Sequence, residues 1–292
     1  MKFVDTPRLR IGYEEWNAGA PRTVVLLHGW PDSVRCWARV APVLAQAGWH
    51  VLAPALRGYA PTTFRDARTP RSGQLAALGR DVLEFVDALQ LQRPALVGHD
   101  WGARAAANAC GLRPGVSSHL ALLSVGYGTN VASQVLPLEQ ARLYWYHWYL
   151  ATAHGERSLR ADRRAFCRHM WDTWAPAGWY DPQEFERTAD AFDSEDWVDV
   201  VLHSYRHRWG HAEGDPHYAG DEAALQPAPV LDVPTLVLHG AVDGVNPPAS
   251  SEGKERYFRA RYERRLLPGV GHFPQREAPA EVAAALLAFL QA

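Results

Sequence analysis

The segment GHDWGAR (98–104) places Asp100 at the centre of a G-x-D-x-G turn between an apolar run and an Ala-rich one. Small flanking residues let a chain turn sharply from strand to helix and hold the central side chain above the end of a sheet. An ionised carboxylate in that place can attack carbon at neutral pH without the activating base a serine needs. An Asp at such a turn is also a common helix N-cap, so its weight comes from its company. Asp243 follows an apolar run in LHGAVDG and His272 follows another in PGVGHF, giving the chain order nucleophile, acid, base. Imidazole suits removal of a water proton near neutral pH, and a neighbouring carboxylate fixes its tautomer and stabilises its charged form. The loop HGWPDS (28–33) can aim the backbone N–H of Trp30 at the elbow. With the N–H of Trp101 it would form an oxyanion hole. Pro31 stiffens that loop, and His28 reads as its structural support.

A second group of polar residues lies far from these in sequence. In SEDWVDVVLHSYRHRW (194–209), Trp197, Val201 and Tyr205 recur at i, i+4 and i+8, which puts Tyr205 on an inward helix stripe. A phenol there is either a proton donor or a core tyrosine satisfied by a backbone carbonyl. The run LYWYHWYLAT (143–152) adds His147 and Trp148.

The elements needed to position these residues are legible as alternating patterns. Apolar strands read at 23–29, 50–56, 94–100, 119–125, 235–240 and 264–270, with an amphipathic helix over 73–90, a basic helix near 249–261 and a last helix over 281–290. Such alternation predicts an α/β fold, a mostly parallel sheet flanked by helices, with ligands at the carboxyl ends of the strands. From 128 to 228 the rhythm changes to helical, aromatic-rich sequence holding seven of the twelve tryptophans. The expected organisation is a core of residues 1–127 and 229–292 carrying an inserted helical cap, 128–228. Most of those tryptophans serve a second small core.

Composition narrows the partners. A formal net charge of −2 over 292 residues and a pI near 6.7 give neither a nucleic-acid footprint nor a membrane-surface patch. The expected partner is a small molecule, with the protein a monomer or homodimer. Cys36, Cys110 and Cys167 are odd in number and widely spaced, which fits a reducing cytoplasm better than a disulfide framework. No stretch approaches the roughly 20 apolar residues of a membrane span, and no signal-peptide pattern opens the chain. Neither a metal-ligand cluster nor a dinucleotide fingerprint is present, so no cofactor and no metal are expected.

Together HGWPDS, RGYAPT (57–62), GHDWGAR, LHGAVDG and GVGHF resemble the epoxide hydrolase and dehalogenase branch of the α/β-hydrolase superfamily. The resemblance implies a two-step reaction in which Asp100 forms an alkyl ester that water, activated by His272, then hydrolyses. Tyr205 resembles the cap tyrosine that protonates an opening epoxide, and His147 stands where a second donor is found. Fluoroacetate dehalogenases carry a pair like His147 and Trp148, but clamp their carboxylate with one Arg directly after the nucleophile and another beyond it. Here Trp101 takes the first place and only Arg104 remains. Haloalkane dehalogenases share the Trp after the nucleophile, usually with an Asn where this chain has Trp30. Hydrolysis of a small apolar epoxide to a vicinal diol is therefore the first expectation. The alternative is haloalkane or haloacid dehalogenation, and Trp30, Trp101, Trp148 and Arg104 are the candidate binding residues.

Overall fold

A computed structural model describes residues 1–129 and 132–291. One sheet contains β1 Lys2–Asp5, β2 Leu9–Trp16, β3 Arg22–Leu27, β4 Trp49–Pro54, β5 Thr63–Phe64, β6 Ala95–His99, β7 Leu120–Leu123, β8 Thr235–Gly240 and β9 Tyr262–Leu267. Their spatial order is β1-β2-β4-β3-β6-β7-β8-β9, with β5 on β2. From β4 to β9 every neighbour is parallel, whereas β1, β2 and β5 pair antiparallel at one edge. The central strands are apolar on both faces because helices cover both: β6, β7 and β8 are buried throughout.

Helices α1 (Ala41–Gln46), α2 (Leu75–Ala88) and α3 (Trp101–Leu112) alternate with the first strands. Between β7 and β8 the chain runs through α4 (Leu138–Leu143), α5 (Trp145–Ala151), α6 (Ala153–Ala161), α7 (Arg163–Trp174), α8 (Pro182–Ala189), α9 (Trp197–Arg208) and α10 (Ala219–Ala224). It closes with α11 (Pro274–Glu277) and α12 (Pro279–Leu290). The stripe expected on α9 is buried, with Trp197, Val201 and Tyr205 at 1% exposure or less. No helix among the described residues is long and apolar enough to cross a membrane.

The basic helix expected near 249–261 is absent. Two short 3₁₀ turns, Pro248–Ser251 and Glu255–Tyr257, stand there. Gly253 between them has φ +65°, and the backbone at 257–259 is drawn into bridging hydrogen bonds with Leu231. That extended pairing competes with a helix and wins. The N-terminal strands β1 and β2 were not anticipated either.

The helical insertion is fastened to the sheet by polar ties. Trp171 Nε1 donates to Pro31 O at 2.8 Å, and Trp174 O accepts from the N–H groups of Gly244 and His272 at 3.0 and 3.1 Å. Arg276 joins both parts, meeting Asp32 at 2.6 Å and Glu184 at 3.1 Å. The HGWPDS loop is thereby held between the insertion and α11.

Candidate active site

Asp100 sits between β6 and α3 with φ +48° and ψ −112°, a conformation that costs a non-glycine residue free energy. Its glycines explain why the turn can close. A Cβ on Gly98 would lie 2.2 Å from Gly102 O, and one on Gly102 would lie 2.3 Å from Leu27 O. The carboxylate is thus held up at the carboxyl end of the sheet. Its Oδ1 accepts the backbone N–H of Trp30 at 3.0 Å. The second expected donor, the N–H of Trp101, makes no hydrogen bond to it.

His272 and Asp243 are brought to the same place by the ends of β9 and β8. His272 Nδ1 lies 2.9 Å from Asp243 Oδ2. The carboxylate can only accept, so Nδ1 carries the proton and Nε2 presents a lone pair. Nε2 is buried without a partner and stands 3.9 Å from Asp100 Oδ2. That is too long for a hydrogen bond and leaves the lone pair turned toward the carboxylate. The Asp100 side chain keeps 13% of its surface exposed while that of His272 keeps none. Asp243 Oδ1 accepts the N–H groups of Val245 and Asn246 at 2.9 and 2.8 Å. Burial alone would raise its pKa, but the charge of His272, with hydrogen bonds from His239 and His272, holds it well below the usual carboxylate range. Burial alone would likewise lower His272. The charge and hydrogen bond of Asp243, helped by Asp100, outweigh burial and raise it above 6.5.

Tyr205 reaches this cluster from α9. Its hydroxyl accepts the Trp101 indole N–H at 3.3 Å, and among the described residues its own proton goes to no acceptor. Burial first, and then the nearby Asp100 charge, push its pKa well above 10. His147 packs beside it, ring centroids 4.6 Å apart. Trp209 Nε1 donates to His147 Nδ1 at 2.9 Å, so Nε2 must carry the imidazole proton, and Nε2 is buried without a partner. Burial, then the charges of Arg208 and Arg104, push His147 well below 6.5. It is a neutral N–H donor at physiological pH.

The other candidates divide. Trp30 faces inward, its ring 5.2 Å from that of Tyr205. Arg104 is buried on α3 and bonded to Thr129. Trp148 does not join the site: its indole N–H donates to Ala141 O at 2.8 Å and its ring packs on Trp209. Sequence reasoning missed Trp209, Arg208, Asn246, Trp174 and Glu277. Asn246 ties Asp243 to Ser124 O and Tyr144 Oη, and Glu277 accepts the N–H groups of Gly271 and Phe273 on either side of His272. Trp174 lays its ring 5.0 Å from His272. Glu277, five residues after His272 and just ahead of a proline-started helix, was the one with a local signal. The described residues contain no cluster suited to a metal ion.

A family model described as alpha/beta hydrolase fold matches residues 22–279. Epoxide hydrolase A of Mycobacterium tuberculosis is 28% identical over 99% of this chain and 96% of its own length. A fluoroacetate dehalogenase of Burkholderia sp is 31% identical over 65% of this chain and 58% of its own. Among solved structures, one assigned as an epoxide hydrolase from Klebsiella pneumoniae superposes with a TM-score of 0.95 at 36% identity, covering 100% of this chain and 97% of that one. With nearly its whole length matched by that family model and by that neighbour, the chain belongs to the alpha/beta hydrolase fold family.

Proposed function

We infer that the protein is an epoxide hydrolase, acting on a small molecule through a covalent ester on Asp100. One observation carries the choice over halide release: the Trp101 indole N–H, which a haloalkane would need as halide donor, is given to the Tyr205 hydroxyl. Trp148, a candidate donor for a haloacid, is turned to a backbone carbonyl. What remains above Asp100 is a tyrosine with an unspent proton and a neutral imidazole with a free N–H, which suit an alkoxide far better than a halide.

The steps follow from these positions. Asp100 Oδ2 attacks an epoxide carbon, the C–O bond breaks, and its electron pair goes to the ring oxygen, which takes the proton of Tyr205 while His147 Nε2–H shares the charge. The product is an alkyl ester whose carbonyl oxygen, Oδ1, already lies on the Trp30 N–H. Water then adds to the Asp100 carboxyl carbon as His272 Nε2 takes its proton, and negative charge grows on Oδ1 where that N–H stabilises it. Collapse releases the diol, whose hydroxyl formed at ring opening. The departing oxygen takes the proton held by His272, and the second proton of the added water, left on the re-formed Asp100 carboxyl, is given up through solvent to restore the tyrosinate, which returns Asp100 to carboxylate. Residues 128–228 act as the cap that supplies the ring-opening donors, over a core of 1–127 and 229–292, and the setting is the cytoplasm.

Pre-steady-state alkylation with a terminal epoxide and the matched bromoalkane tests this. Tyr205→Phe is expected to slow epoxide alkylation by about 10²- to 10⁴-fold, with Trp101→Phe milder. Rapid bromide release that collapses with Trp101→Phe and ignores Tyr205→Phe would make the protein a dehalogenase.

A further inference from the structure

Asp243 is held from a side that the reaction steps do not use. His239, near the end of β8, is fully buried, and its Nε2 lies 2.8 Å from Asn246 O and 3.4 Å from Asp243 Oδ2. A carbonyl can only accept, so Nε2 carries a proton. That N–H is bonded to Asn246 O, and its positive end also faces the carboxylate oxygen that accepts from His272 Nδ1 at 2.9 Å.

The other ring nitrogen shows how this tautomer is kept. Nδ1 lies 2.9 Å from Ser251 Oγ. Arg264 on β9 donates from Nη2 to Pro248 O at 2.7 Å and from Nε to Ser251 Oγ at 2.9 Å. With Pro248 O already served by the guanidinium, the Ser251 hydroxyl is freed from that carbonyl, 3.0 Å away, and its proton goes to His239 Nδ1. A line of donors thus runs from Arg264 through Ser251 and His239 to Asp243.

The titratable groups that face His272 are Asp243, Asp100 at 3.9 Å, Glu277 beside its backbone and His99, ring centroids 5.0 Å apart. Around His239 stand Asp243, Arg264 and Tyr262, whose hydroxyl donates to Ser251 O at 3.4 Å. Tyr144 reaches the same loop by donating to Asn246 Oδ1 at 2.6 Å. Among these side chains, His239 shares Asp243 Oδ2 with His272.

We propose that His239 is a positioning residue for the catalytic base: it fixes Asp243 Oδ2 against His272 and draws on that oxygen's charge, which limits how firmly the acid holds the imidazolium proton. This rests on the Asp100 ester reading above, in which His272 must take a proton from water and then give it to the departing oxygen. Hydrogen bonding to the charged form of a carboxylate stabilises it, so each donor on Oδ2 lessens its pull on the other.

Imidazole NMR titration of the intact protein tests this without turnover, the His272 signal being identified by its loss in His272→Gln. His239→Asn keeps an amide near the Nδ1 position and loses the Nε2–H, and is expected to raise the midpoint of His272 by about 1 unit. His239→Gln, whose amide reaches the Nε2 position, should undo most of that shift. Ser251→Ala breaks the line of donors but leaves the Nε2–H on Asn246 O, so its midpoint should match the wild type. Decay of the Asp100 ester, followed against pH, should show its acid limb moved upward by the same amount in His239→Asn. A His272 midpoint that stays or falls in His239→Asn overturns the proposal, as does an equal shift in Ser251→Ala. So does a wild-type spectrum with the His239 proton on Nδ1 alone, a measurement that needs no variant to fold. The expected NMR shifts in a protein that forms no ester with any epoxide would overturn the epoxide reading and leave the hold of His239 on the Asp243–His272 pair standing.

Discussion

Asp100 and His272 face each other across 3.9 Å, and that gap separates their proposed tasks. If Asp100 is the nucleophile, a single turnover in heavy-oxygen water places label in its side chain, because water adds to the ester's carbonyl carbon. Label found only in the first-turnover product would mean direct attack by water. His272→Gln should alkylate and then stall, leaving an adduct on Asp100 visible by mass spectrometry. The pH dependence separates the two steps further. His272 must be neutral to accept a proton, and Asp243 raises its pKa above 6.5, so the rate of ester hydrolysis should rise with pH through a value above 6.5. The ring-opening donors titrate elsewhere: His147 lies well below 6.5 and Tyr205 well above 10. The alkylation rate should therefore stay flat from about pH 7 to 9. Stopped-flow traces that place the acid limb of hydrolysis below 6.5 would contradict the Asp243–His272 coupling.

At the scale of elements, the elbow depends on backbone approaching backbone. A methyl on Gly102 would lie 2.3 Å from Leu27 O and 2.5 Å from His28 O, neither of which can swing aside. Gly102→Ala should destabilise by about 1–3 kcal/mol or more, while Gly220→Ala on α10, with open space around its Cβ, should be neutral or mildly stabilising. Equal denaturation midpoints for the two variants would refute the steric account. The elbow was legible because its glycines, its strand and its helix are contiguous in sequence, and Asp243 and His272 were legible because each ends an apolar strand. Trp148 was misread for a reason one residue long: adjacent helix positions differ by about 100°, so His147 faces Tyr205 while Trp148 turns to Ala141. Arg208 and Trp209 carry no local signal, since their meaning depends on how α9 lies against α3 and α5. The run at 249–261 looked helical in charge and composition, but its backbone is claimed by Leu231 from across the chain.

Across the whole molecule, several histidines are buried neutral, and they make stability depend on pH in a definite direction. His28 accepts the Leu56 N–H on Nε2 at 3.0 Å and donates from Nδ1 to Gly29 O at 3.1 Å. His99 donates from Nε2 to the carbonyl of His272 at 2.7 Å. Burial above all pushes each of them down to about 4, and it pushes His147 down as well. Their unfolded values lie near 6.5. Between about pH 4 and 6.5 the unfolded chain thus binds protons that the folded chain refuses, so the stability these groups allow is complete above 6.5 and falls as pH drops. Each histidine contributes up to about 1.4 kcal/mol per pH unit in that window. His272 acts with the opposite sign: its raised value gives stability that is full below 6.5 and lost as pH rises through its folded pKa. One group cannot offset three, so urea midpoints should fall clearly from pH 7 to pH 4.5. His28→Asn, or a similar change that removes the ring, should flatten the dependence by about one histidine's share. A midpoint that is level or rises toward pH 4.5 would remove the buried histidines as the cause. Because His99 holds the backbone carbonyl of His272 itself, activity should be lost along with the fold in this acid transition, and kinetic assays below pH 6 need a parallel measure of how much protein remains folded.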